Sequence, residues 1–79
     1  MPITPAPAVL RAGEILRFLA HRPTEAFTVS DLARELGLPR ATCDAVMQAL
    51  AQAGLVVRRD RDLRYVLGPA AIMIGNAAR

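Results

Sequence analysis

Two helix-forming segments joined by a very short corner constrain this chain more than any other feature. The first runs from about Val29 to Leu36, the corner is Gly37-Leu38-Pro39, and the second runs from about Pro39 to Gln52. Glycine readily adopts the left-handed conformation that ends a helix, and proline fits the first turn of the next. The pattern therefore predicts two helices packed across a tight turn, as in a helix-turn-helix unit.

A further helix is predicted before this pair, from about Ala8 to His21. Three prolines in residues 1–7 predict an extended arm ahead of it. Leu10 and Phe18 lie outside the apolar stripe of this helix, so they are either candidates for a dimer interface or packed within the domain. The stripe expected to face the core consists of Val9, Ala12, Ile15, Leu16, Leu19 and Ala20.

A β-hairpin is predicted after the two helices that the corner joins. Leu55 to Arg59 and Arg64 to Leu67 are rich in β-forming residues, and the polar tip 60–63 separates them. Thr28 and Asp31 form a capping-box pattern at the start of the second helix. The predicted fold is mainly α with a small β-hairpin. It is a winged helix-turn-helix of three helices over residues 8–68, with a short linker helix beginning in residues 69–79.

Composition limits the classes of protein to which the chain can belong. Its 79 residues favour one small domain, which often gains stability by forming a homodimer. The single Cys43 cannot form an internal disulfide, and no Cys/His spacing matches a metal site. No signal peptide or membrane-length apolar run is present, so a cytoplasmic location without membrane contact is expected. No nucleophile with a positioned base, carboxylate pair or glycine-rich phosphate loop indicates an enzyme or a cofactor site.

Positive charge is concentrated near the proposed helix-turn-helix. Net charge is +3, the isoelectric point is about 10.5, and all ten basic residues are arginines. Arg40 and Thr42 at the start of the third helix, and Arg59 and Arg61 in the wing, are candidate phosphate contacts on double-stranded DNA. Alternatively these are a solvated arginine, a helix cap and a charged hairpin edge. Candidate base contacts on the outer face of the third helix are Ala41, Asp44, Ala45 and Gln48.

Six parts of the chain carry a family resemblance: 15–19, Ser30-Asp31-Leu32-Ala33, Gly37-Leu38-Pro39-Arg40-Ala41-Thr42, Leu50, Ala53-Gly54-Leu55-Val56 and Tyr65-Val66-Leu67-Gly68-Pro69. Together they resemble the N-terminal winged helix-turn-helix domain of IclR-type bacterial transcriptional regulators. In that family the domain dimerises, inserts its third helix into the major groove and continues through a linker helix to an effector-binding domain. The resemblance implies that this chain is either a DNA-binding fragment or a small stand-alone protein, with no small-molecule effector site of its own.

Three positions on the outer face of the third helix depart from the family pattern. A hydroxyl residue would be usual at Ala41, a histidine or similar residue at Asp44, and an arginine at Ala45. These departures leave a second interpretation open, in which the chain is a winged-helix dimerisation module without DNA binding, similar to the N-terminal domain of small-molecule O-methyltransferases. The arginines of the wing favour the DNA-binding interpretation.

Overall fold

The structure, a computed structural model, describes residues 3–79 and contains four helices and one two-stranded sheet in that range. The mainly helical fold with a small hairpin is as predicted. Met1 and Pro2 of the expected extended arm lie outside the described residues, and α1 begins one residue earlier than expected, at Pro7. The elements in chain order are α1 (Pro7–Ala20), α2 (Val29–Leu36), α3 (Arg40–Gln52), β1 (Val56–Arg58), β2 (Tyr65–Leu67) and α4 (Pro69–Ala77).

The helix-turn-helix corner is fixed by hydrogen bonds at both ends of α2. The Thr28 hydroxyl accepts from the Asp31 backbone N–H at 3.1 Å, and the Asp31 carboxylate accepts from the Thr28 N–H at 3.1 Å. This is the predicted capping box, and the hydrogen bond from the Thr28 backbone N–H is the main reason that the pKa of Asp31 is lowered. Gly37 ends α2 with a φ of 65°, and Pro39 caps α3 rather than entering it. The start of α3 is thereby set by the local sequence.

The core lies where α1, α2 and α3 converge over the hairpin. Ile15, Leu32 and Met47 are fully buried, one from each of these helices. Burying such side chains contributes about 1.5–3 kcal/mol each, so this cluster supplies much of the stability of so small a domain. The remaining buried residues are Leu19, Val29, Ala33, Cys43, Val46, Leu50, Val56 and Tyr65.

Two members of the predicted stripe on α1 are not in the core. Val9 is 69% exposed and Ala20 is also exposed, so this part of the prediction is wrong. The first turn of α1 faces the alanines at 45 and 49 of α3, whose side chains are too short to close the gap. An open apolar groove of about 350 Å³ lies between them.

The hairpin is attached to the helices through Tyr65. β1 and β2 pair antiparallel, with Arg58 opposite Tyr65. Tyr65 also exchanges two backbone hydrogen bonds with Phe27, of 2.7 and 3.2 Å, so a β-bridge joins the hairpin to the segment before α2. Its side chain is only 4% exposed. The wing is therefore held at a fixed place beside α3.

Candidate nucleic-acid interface

The third helix divides into a buried and an exposed face as the sequence predicts. Cys43, Val46, Met47 and Leu50 point into the core. Asp44 is half-buried, and the outer face presents few donor groups because three of its exposed residues are alanines. The exposed residues of this face include Arg40, Ala41, Thr42, Ala45, Gln48 and Ala49.

A polar cleft of about 210 Å³ separates the start of α3 from the wing. Arg40 lines it from the helix and Arg58 from β1, so two basic residues border the cleft from different elements, and Asp62 lines it from the wing. Neither arginine forms an ion pair with another residue in the range 3–79. Asp44 lines the same cleft. No assignment of Arg58 follows from the sequence, because alternation along a strand does not show which neighbouring element a side chain faces.

The wing tip is organised around the carboxylate of Asp62. The Arg59 guanidinium donates two hydrogen bonds to it, at 2.7 and 3.3 Å, and the Arg64 backbone N–H donates a third at 3.1 Å. The bonds from Arg59 chiefly hold the pKa of Asp62 below its usual value. Arg61 is exposed and forms no ion pair with a described residue. Of the two predicted wing contacts, Arg61 is thus free to meet a ligand and Arg59 is engaged within the chain.

The remaining arginine of the wing is directed toward the body of the domain. Arg64 donates a hydrogen bond of 3.2 Å to the backbone carbonyl of Ala26. Its guanidinium also lies 3.9 Å from carboxylate oxygens of both Asp31 and Asp62. Arg64 therefore ties the wing to the N-terminus of α2.

On α3, Gln48 and Asp44 form a pair. The Gln48 side-chain amide donates a hydrogen bond of 2.9 Å to the Asp44 carboxylate one turn earlier. Sequence spacing allowed this i, i+4 contact but could not show that it forms. The one acidic side chain on the exposed part of α3 thus has a partner on the same face.

The two predicted interface residues of α1 differ in their surroundings. Leu10 is 54% exposed, whereas Phe18 packs against the core and places its ring 5.0 Å from that of Phe27. The Arg22 guanidinium lies 3.8 Å from the centre of the Phe18 ring. This geometry favours the alternative of packing within the domain for Phe18.

Cys43 has the surroundings of a structural thiol. It is fully buried, its Sγ lies 3.8 Å from the carbonyl oxygen of Val29, and burial raises its pKa. Across residues 3–79, no group of three or more His, Cys, Asp or Glu side chains is placed to hold a metal ion. In the same range no helix combines the length and apolar character needed to cross a membrane.

Comparison with known families decides the class of the domain. The model of the IclR helix-turn-helix domain matches residues 8–60. The chain belongs to this family. The matched range covers nearly all of α1 and the whole of α2, α3 and β1, and it ends at Asp60, so it contains α3 and the first part of the wing but not Arg61 or β2.

Individual relatives of this IclR-type domain agree in sequence and structure. A glycerol operon regulatory protein of Streptomyces coelicolor is 35% identical over 66 residues, which are 84% of this chain and 26% of that protein. An IclR transcriptional regulator from Alicyclobacillus acidocaldarius superposes with a TM-score of 0.88 at 29% identity, over 95% of this chain and 30% of that one. For HmgR of Pseudomonas aeruginosa the TM-score is 0.81 at 30% identity, over 92% and 30%.

These relatives identify the chain as a DNA-binding domain of the transcriptional-regulator type, and they give no support to the methyltransferase-like alternative. They are themselves regulators. The chain spans between a quarter and a third of their length. The similarity therefore establishes the type of this domain and the family to which it belongs.

Proposed function

We propose that this domain binds an operator by placing α3 in the major groove of double-stranded DNA, with the wing segment 58–64 on the adjacent backbone or minor groove. The observation that carries the proposal is the pair of arginines, Arg40 and Arg58, on either side of the cleft beside the exposed face of α3. Guanidinium groups on two elements can hold phosphates and fix the helix in register, while residues on α3 meet base edges.

Within this interface we assign Arg40, Arg58 and Arg61 to phosphate contacts. Thr42, exposed in the first turn of α3, lies where helix N–H groups and the helix dipole favour an anion. Ala41 and Ala45 present methyl groups suited to thymine methyls. The predicted phosphate contact of Arg59 remains a prediction, and its bonds to Asp62 support a role in shaping the wing.

The proposal includes a homodimer. Exposed apolar side chains occur on the first turns of α1 and on α4, where Ile72, Met73 and Ile74 are between 57% and 66% exposed. Contacts between these helices in two copies would remove this surface from water. Sedimentation of the purified chain and of a Leu10→Asp/Met73→Asp variant tests this, since the variant should sediment as a monomer if the dimer forms there.

In this proposal the domain binds DNA in the cytoplasm and catalyses no reaction. No effector site is assigned to the described residues. The test of the proposal is fluorescence anisotropy with mixed genomic fragments at low and at roughly physiological salt. Each phosphate contact should contribute about −0.9 to the slope of log affinity against log salt. No binding at low salt by a folded chain would overturn the proposal and favour a protein-interaction module.

Paired charge variants sharpen this experiment. Arg58→Ala/Arg61→Ala removes two charges from the wing, and Arg11→Ala/Arg17→Ala removes two from α1. The two double variants have the same net charge, so the nonspecific attraction to DNA that depends on total charge should change equally in both. The wing variant should lose affinity and about two units of salt slope, whereas the α1 variant should keep the wild-type slope. Equal losses would contradict the location of the interface.

A further inference from the structure

We propose that Gln48 reads an adenine in the major groove and that Asp44 is the residue that orients it. The inference rests on the proposed operator binding and adds the base that the centre of α3 recognises. Its starting point is the 2.9 Å hydrogen bond between the two side chains on the face of α3 that the interface exposes.

The hydrogen bond determines which way the Gln48 amide faces. An ionised carboxylate only accepts hydrogen bonds, so the group of Gln48 that approaches Asp44 has to be the NH₂ and not the carbonyl oxygen. The bond uses one of the two N–H groups. When the N–H trans to the carbonyl oxygen makes this bond, the carbonyl oxygen and the second N–H remain side by side on the opposite edge of the amide.

This remaining edge has the acceptor–donor pattern that adenine matches. In the major groove adenine offers its N6 amino group as a donor and N7 as an acceptor, and glutamine can bind both. Guanine presents two acceptors there, O6 and N7, so the Gln48 carbonyl would face an acceptor without a hydrogen bond. A glutamine with a fixed amide therefore discriminates between the two purines more sharply than one that can rotate.

The surroundings of Gln48 leave this edge accessible. Gln48 is exposed, and its neighbours one turn away are Asp44, Ala45, Ala51 and Gln52. Asp44 is thus its only charged neighbour at that spacing. The adjacent alanine methyls present no donor or acceptor that competes for the base. Asp44 is a positioning residue in this arrangement, since it acts on the base through Gln48.

The proposal also explains how a carboxylate is tolerated on a surface that approaches DNA. Asp44 lines the cleft together with Arg40 and Arg58, and the second carboxylate of that cleft, Asp62, is already bound by Arg59. One of the Asp44 oxygens is already engaged by Gln48. The Asp44 carboxylate thus has a hydrogen-bond donor of its own on α3, and the same bond aligns the reading group.

The test is selection of tight-binding duplexes from a randomised pool by the purified chain, followed by sequencing. The wild-type chain should select one adenine per half-site, and replacing it with another base should weaken binding roughly five- to tenfold. Substituting 7-deazaadenine, which lacks N7, or purine, which lacks the 6-amino group, at that position should each cause part of this loss.

Variants separate the reader from the residue that orients it. Gln48→Ala should bind all four bases at that position equally, and Gln52→Ala, one turn further along, should behave as wild type. Asp44→Ala should retain DNA binding but lose most of the adenine preference. Asp44→Asn should restore the preference, because its amide oxygen still accepts from Gln48, and should bind more tightly overall because a negative charge is removed.

The possible failures are distinguishable. An adenine preference that survives Gln48→Ala overturns the inference, as does a cytosine preference that disappears in Asp44→Ala, since Asp44 would then be reading an amino group directly. In both cases DNA binding itself persists. Absence of DNA binding at low salt, with thermal unfolding showing a folded chain, overturns the proposed function together with the inference.

Discussion

Gly68, the residue that precedes α4, lies directly against the backbone carbonyl of Gly54 at the end of α3. A Cβ atom at position 68 would overlap that carbonyl oxygen and come within 3.2 Å of the backbone of Val56. Backbone bonds join the same segments, from Gly68 N–H to the Leu55 carbonyl at 2.9 Å and from Ala70 N–H to the Gly54 carbonyl at 3.0 Å. The position of α4 depends on this close approach.

Gly68→Ala should therefore destabilise the domain. Backbone atoms cannot rotate aside as a flexible side chain can, so the added methyl group should cost about 1–3 kcal/mol, the range seen for overpacking. Thermal unfolding measured by circular dichroism would show a melting temperature lower by roughly 4–8 °C per kcal/mol. Gly75→Ala on α4, where a Cβ meets nothing within 4 Å, is the matched control and should not lower it.

Gly13→Ala should have the opposite effect. Gly13 lies inside α1 with a helical conformation, and a Cβ there has no neighbour within 4 Å. Alanine restricts the unfolded chain and favours the helix, so the free energy of unfolding should rise by about 0.5–1 kcal/mol. Urea unfolding at low protein concentration measures it. A decrease would contradict the open space seen beside this residue.

The cap of α2 offers a third test. Thr28→Ala removes the hydroxyl that accepts from the Asp31 N–H and should lower the free energy of unfolding by about 1 kcal/mol. Thr24→Ala, an exposed turn residue before the cap, controls for loss of a threonine. Urea unfolding of the two variants should separate them. Equal stabilities would show that the capping box contributes little.

Lowering the pH should destabilise the start of α2, where Asp31 lies, and the wing tip, where Asp62 lies. Asp31 and Asp62 both have a lowered pKa in the folded chain, because hydrogen bonds from Thr28 and from Arg59 favour their ionised forms. A depressed folded-state pKa means that the stabilisation is complete above the unfolded value of about 3.9 and is lost as pH falls through the folded value. Melting temperatures of wild type and Asp31→Asn should therefore differ at pH 6 and converge toward pH 2.

The sequence predicted those parts of the fold that depend on local chemistry. The capping box, Gly37 and the buried face of α3 follow from residue type and helical period, and the structure confirms them. Val9 was predicted in the core because a helical wheel shows which residues share a face but not how far the opposing element extends. At the first turn of α1 the opposing side chains are alanines, so the apolar stripe continues past its partner.

Less of the candidate site could be predicted, because its details depend on contacts between side chains. Spacing placed Arg59 and Arg61 together at the wing, yet one binds Asp62 and the other is exposed. Arg58 lines the cleft with Arg40 in a hairpin that pairs with Phe27, ahead of α2, through Tyr65. This placement depends on how three elements pack together in the tertiary structure. Neither hydrophobic periodicity nor secondary-structure propensity carries that information.

A double-mutant cycle at the wing tip distinguishes two roles for Arg59. If Arg59 chiefly neutralises Asp62, Arg59→Ala should weaken DNA binding by exposing an unpaired carboxylate, and adding Asp62→Asn should restore the affinity. If Arg59 itself contacts a phosphate, the double variant should still bind DNA weakly. The slope of its log affinity against log salt should then be smaller in magnitude than that of the wild type by about 0.9. The ion pair is partly exposed, so its contribution to stability should be below about 1 kcal/mol and all variants should fold. We expect restoration, since both bonds from the Arg59 guanidinium end on Asp62, and anisotropy titrations at three salt concentrations measure affinity and slope together.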